Sequence, residues 1–165
     1  MTTTTSGLPL TAGFFEAPPF VVPNAKGEAF KIEQVVFRNP TRTEKLVWWF
    51  GPDDDRDPHN HPWPFDSLIL AGGYTSRTYW LEGGGVCSID RVVRAGDKVH
   101  YPLHEYHTVI DVLPGTRTRM ECGEATPGNA WGYLDAETGR TYAAEPDPTF
   151  MARMLKLNPW RVQAR

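Results

Sequence analysis

Cysteine is scarce in this chain of 165 residues: Cys87 and Cys122 are the only two, and neither belongs to a Cys-x-x-Cys pair. That is too few for a secreted disulfide framework, so a reducing cytoplasm is the expected setting. Long apolar runs are missing as well. Nowhere do about 18 apolar residues follow one another. The first six residues carry neither positive charge nor the apolar core of a signal peptide, which argues against export and membrane insertion. Basic runs are also absent. Lys+Arg number 17 against 20 for Asp+Glu, a net charge of −3, so nothing here is built to follow a phosphate backbone and nucleic acid is not an expected partner. No internal repeat divides the chain.

What is plentiful is turn chemistry, with 15 glycines and 15 prolines spread along the sequence. Between them lie β-branched and aromatic runs at 20–22, 29–37, 46–50, 67–71, 74–81, 86–93, 98–101, 107–112 and 117–122. Runs of this length, separated by turn residues, predict an all-β sandwich or barrel. Glu82-Gly83-Gly84-Gly85 is suited to a hairpin between 74–81 and 86–93. Pro148 to Leu157 is the one good helix, with Met151, Met154 and Leu155 at helical spacing, and it is expected on the outside. Residues 1–12 are small and polar and read as a tail, leaving 13–165 as one folded unit.

All five histidines fall within one window: His59-Asn60-His61, then His100, His104 and His107. Alternation along a strand points His59 and His61 to one face, near enough to chelate a single ion, and His107 completes a set of three. Three imidazoles in an apolar interior are hard to justify without a cation. The set leaves two or three coordination positions open, which suits iron(II) binding substrate and dioxygen, and also zinc, nickel or manganese acting as a Lewis acid. His100 alternates with Val99 and Tyr101 and is expected to point outward.

Two glycine-anchored patterns frame these residues. In the first, His59-x-His61 is followed by four residues, Asp66, six residues and Gly73; in the second, Gly96 is followed by five residues, Pro102, His104 and His107. Together they resemble the two motifs of the RmlC-like cupin superfamily. More narrowly, Pro58-His59-Asn60-His61-Pro62-Trp63, Ser67-Leu68-Ile69-Leu70 and Trp131-Gly132-Tyr133 resemble small bacterial and phage cupins. The resemblance covers roughly 30–135, with its motifs in 57–112. It implies a double-stranded β-helix, a jelly-roll barrel carrying extra N-terminal strands and the C-terminal helix, with metal ligands at His59, His61 and His107. Asp66 stands where cupins usually place a Glu ligand, so it binds metal directly, holds a metal-bound water or orients an imidazole. His104 replaces a usual glycine and is assigned to the pocket mouth or a loop.

The expected activity is that of a non-haem iron(II) enzyme, a dioxygenase or other oxygenase of a small organic substrate. A lyase, isomerase or dehydratase on zinc, nickel or manganese is the alternative, with Asp66, Tyr101 or His104 moving a proton, and a non-catalytic small-molecule binding module is the third reading. Trp63, Tyr79, Arg77 and Arg117 are the substrate-binding candidates, with Arg119 on the same face as Arg117; the arginines are chosen because a guanidinium fork grips a carboxylate. Asp53-Asp54-Asp55 reads as a solvated turn and is left out of the ligand set. A homodimer is expected, formed through the apolar strands of 20–37.

Overall fold

The computed structural model describes residues 18–53, 57–126, 131–144 and 147–162; the expected tail of 1–12 lies outside them, as do Asp54 and Asp55. Period-two patterning produces the strands β1 (Phe20–Pro23), β2 (Ala29–Asn39), β3 (Arg42–Trp49), β4 (Phe65–Ala71), β5 (Gly73–Glu82) and β6 (Gly85–Arg94). After them come β7 (Lys98–Tyr101), β8 (Tyr106–Val112), β9 (Arg117–Cys122), β10 (Gly132–Leu134) and β11 (Thr141–Ala143). The helix α1 (Pro148–Leu157) and a 3-10 turn (Pro159–Val162) follow. Among the described residues no helix is long and apolar enough to cross a membrane.

One sheet has the order β1-β2-β3-β9-β4-β7, and a second has the order β6-β5-β8. They pack face to face. Trp49 of the first sheet meets Tyr74 of the second at 5.8 Å between ring centroids, and the Tyr74 and Tyr101 hydroxyls are 3.0 Å apart. The core between them holds Val47, Ile69, Val93, Val99, Val109 and Met120, all buried; fully burying one such side chain contributes about 2 kcal/mol. Among the described residues the two sheets pack as the expected jelly roll without closing into a continuous barrel. Instead His59 inserts as a single residue between β8 and β10, bridging to His107 on one side and Tyr133 on the other.

Two glycine turns set the register around the site. Gly83 and Gly84 take φ of 61° and 82°, the double positive conformation of a two-residue hairpin that joins β5 to β6 with Glu82 opposite Gly85. Gly72, at φ 67°, lets the chain pass so close to Thr116 that a Cβ would strike its Oγ1 and backbone, and that same hydroxyl accepts the Gly73 N–H at 3.0 Å. The helix α1 lies against β1. It starts at Asp147, whose side chain accepts the Thr149 N–H at 2.8 Å.

Candidate metal centre

Backbone pairing brings the histidines together. His59 and His107 exchange both N–H···O bonds, at 3.1 and 3.0 Å, as directly opposed residues of an antiparallel pair, so their side chains emerge on the same face. His61 follows two residues on and returns to that face. The intervening Asn60 is buried and its Oδ1 accepts the Gly132 N–H at 2.8 Å, while its own N–H donates to Gly132 O, pinning the segment to the β10 hairpin. Among the described residues His59, His61 and His107 form a group whose ligand atoms all lie within 4.8 Å of one another.

The electrostatics favour the neutral form of His61 and His107. Burial, then the neighbouring imidazoles of His107 and His59 and the ammonium groups of Lys31 and Lys45, hold His61 well below the ordinary imidazole range. Burial and the His59 ring push His107 down to about 3, against the opposing pull of Asp53. Neutral imidazole is the ligating form, and the buried Nδ1 of His107 has no hydrogen-bond partner among the described residues. Three imidazoles with ligand atoms this close together fit a divalent cation.

The surroundings are aromatic. Trp131 stands 4.4 Å from the His61 ring and 5.8 Å from the His59 ring, and Trp63 is 6.3 Å from His61. Phe65 meets His61 edge-on at 4.8 Å and stacks on Tyr101 at 4.5 Å, and Tyr101 in turn lies 4.6 Å from His107. Trp63 and Trp131 also line a cavity of about 730 Å³, together with Phe20, Glu33, Lys45, Trp160 and Arg161. Burial and then the Tyr74 hydroxyl raise the Tyr101 phenol well above its ordinary value.

The structure therefore gathers His59, His61, His107, Tyr101 and Trp63, and it separates the rest. Asp66 is a correction: Phe65 takes the inward position of β4, so Asp66 faces out, where it bonds Lys98 Nζ and His100 Nδ1, each at 2.8 Å. It reaches no imidazole of the cluster. His104 is exposed in the turn between β7 and β8, away from the proton-moving role assigned to it. Arg77 is half-exposed and forks onto Asp90 across the hairpin, at 2.6 and 2.9 Å, and Tyr79 shares that outer face of β5. Arg117 and Arg119 are exposed on the outer face of β9, and Arg119 is tied to Glu44. Alternation removes all four from the pocket.

Asp53 is the residue that sequence reasoning left out. It is buried; its backbone and its Oδ1 both bond Val109, at 2.9 and 2.6 Å, and its Oδ2 stands 3.8 Å from His59 Nε2. The turn of acids preceding the first motif hides one that docks on β8. Lys31, Glu33 and Lys45 were also missed. Their signal was charge repeated every second residue within an otherwise apolar run, Phe30-Lys31-Ile32-Glu33. Cys122 is buried inside the first sheet, and burial raises its thiol, consistent with an inert role.

No family model matches the chain, and no curated protein matches it. Solved structures do. The chain is similar to Streptomyces albus HEPD with 2-hydroxyethylphosphonate and Fe(II) bound, at a TM-score of 0.51 and 14% identity, over 67% of this chain and 25% of that one. It is also similar to KdgF from a Halomonas species, at a TM-score of 0.44 and 16% identity, over 67% and 91%. An RmlC-like cupin from Shewanella frigidimarina gives 0.44 and 16%, over 66% and 86%. At these identities the likeness concerns the fold alone. The fold, all-β and of jelly-roll type, is the one this chain shares with HEPD.

Proposed function

We propose that this chain is a metal-dependent enzyme acting on a small organic substrate, with His59, His61 and His107 holding a divalent cation, iron(II) foremost, for an oxygenase reaction. The observation that carries the reading is the convergence of three imidazoles, with ligand atoms within 4.8 Å of one another, beside an aromatic-walled cavity. His59, His61 and His107 would hold such an ion, which would supply the redox chemistry of an oxygenase. The Fe(II) in HEPD, a protein of the same fold, supports the choice of iron.

The chain's own residues prepare the site. Asp53 braces His59 from the side, at 3.8 Å, and so fixes ring orientation. Trp63 and Trp131 wall off water. Tyr101 keeps its phenol proton across the ordinary pH range, so it serves as a hydrogen-bond donor and not as a base. Asp66 and His104 have no part in proton movement here.

The test is metal content combined with oxygen uptake. Protein purified without added metal is expected to carry iron and to consume oxygen when offered a panel of small organic acids, and His107→Ala is expected to lose both. Zinc or nickel, with turnover in an anaerobic chamber, would overturn the oxygenase assignment in favour of a non-redox lyase, isomerase or dehydratase. A ligand bound with no turnover under either atmosphere would leave a binding module.

A further inference from the structure

Across the interior from the histidines, β2 and β3 present a charged wall. Lys31 lies opposite Trp49, Glu33 opposite Val47 and Val35 opposite Lys45, and directly opposed residues share a face, so this face is the one that carries buried Trp49 and Val47. Lys31 Nζ bonds Glu33 Oε1 at 2.9 Å and Lys45 Nζ bonds Glu33 Oε2 at 2.8 Å, with side-chain exposures of only 16%, 13% and 17% for Lys31, Glu33 and Lys45. Among the described residues Glu33 is the one carboxylate paired with either ammonium. Two positive charges against one negative leave a local surplus of positive charge at this wall. A surplus charge withdrawn from water is costly unless a counter-charge meets it.

The space beside that wall has a definite character. Lys45 and Glu33 line the cavity of about 730 Å³, and Phe20, Trp63, Trp131 and Trp160 supply its apolar sides. Lys45 Nζ lies 5.9 Å from the Trp63 ring, which itself stands 6.3 Å from the His61 ring, so Trp63 links the wall to the histidines. Arg38 and Arg161 also line the cavity, so further positive charge surrounds the surplus.

We propose that Lys45, held beside Glu33 and backed by Lys31, forms the anion-binding wall of the substrate pocket and that the substrate is a small organic carboxylate with an apolar, ring-sized body. This rests on reading the histidine site as the reaction centre, and it names the substrate class for that site. The positive surplus matches an anion, and the aromatic sides match a planar body. Lysine, a point charge, neutralises the carboxylate while Glu33 holds both ammonium groups in place.

The experiment titrates the full chain, as purified, with benzoate and with its neutral analogue benzamide, followed by tryptophan fluorescence and calorimetry. Benzoate is expected to bind at least about tenfold more tightly than benzamide, as an unbalanced buried charge requires. Lys45→Met is expected to abolish that preference and Glu33→Gln to strengthen it, so a poorly folded Lys45→Met still leaves a variant of opposite sign. Equal binding of the two probes, an unaltered preference in both variants, or tighter binding of phenylphosphonate than of benzoate would overturn the proposal. The same titration on His107→Ala separates the two readings: a retained benzoate preference there, in a chain whose wild type proves metal-free, would sink the metal reading and keep the anion wall.

Discussion

Glu33 sits between two ammonium groups, one at each carboxylate oxygen. Burial alone would raise its carboxyl, but Lys31 and Lys45 outweigh burial and hold it at about 2, against an ordinary 4.5. A carboxyl with a depressed folded value stabilises the fold above its unfolded value, and that stability is lost as pH falls through the folded one. The window is therefore pH 4.5 down to about 2, and the full effect is of the order of 3 kcal/mol. In urea titrations across that window, wild type is expected to lose stability more steeply than Glu33→Gln; parallel slopes would contradict it. Asp53→Ala is expected to cost about 1–3 kcal/mol, because the buried Val109 N–H loses its acceptor. It should also weaken metal binding roughly 10–100-fold by freeing His59. Thermal melts and metal titration check the two effects, and an Asp53→Ala chain with unchanged metal affinity would remove Asp53 from the site. The histidine triad was legible in the sequence because period-two alternation and motif spacing both apply to it. Asp66 misled, since spacing along the chain is silent on which face β4 turns inward; Phe65 settles that by burying its ring. Asp53 was illegible because its burial depends on pairing with Val109, 56 residues away.

Helix α1 is tied to β1 by the side chain that caps its C-terminus. Asn158 Oδ1 accepts the Val21 N–H at 2.7 Å, and its Nδ2 is placed to donate to Val21 O at 2.7 Å and to Met154 O at 2.8 Å, all with the residue fully buried. Asn158→Ala leaves those groups unsatisfied, and the expected cost is about 2–4 kcal/mol. Hydrogen exchange at the Val21 amide is expected to accelerate in step with the loss; an unchanged rate would show that other contacts hold the helix. The helix was readable from Met151, Met154, Leu155 and the closing Asn158-Pro159, and β5 with β6 from the run of glycines between them. The hairpin of β10 and β11 was not. Each strand has three residues, too few for alternation to register, and what orders them is Asn60 docking on Gly132 from far along the chain.

At the scale of the whole molecule, His59 stitches β8 of the three-stranded sheet to the separate β10–β11 hairpin. The stitch and the three-imidazole site are the same piece of chain, so a cation bound there ties the Pro58–Pro62 segment to β8 and stabilises the fold by mass action. Adding metal to chelator-treated protein is expected to raise the melting temperature by several degrees, a gain that His61→Ala forfeits. The fold class was legible from strand count and turn spacing, but strand order was not, because pairing across β3, β9 and β4 joins segments far apart in sequence.

The most direct measurement is the metal content of the full chain purified without added metal, run beside His107→Ala and Asp66→Asn. About one divalent ion per chain is predicted for wild type and for Asp66→Asn, and less than about a tenth of that for His107→Ala. A metal-free wild type, or a His107→Ala chain that keeps its ion, would contradict the account.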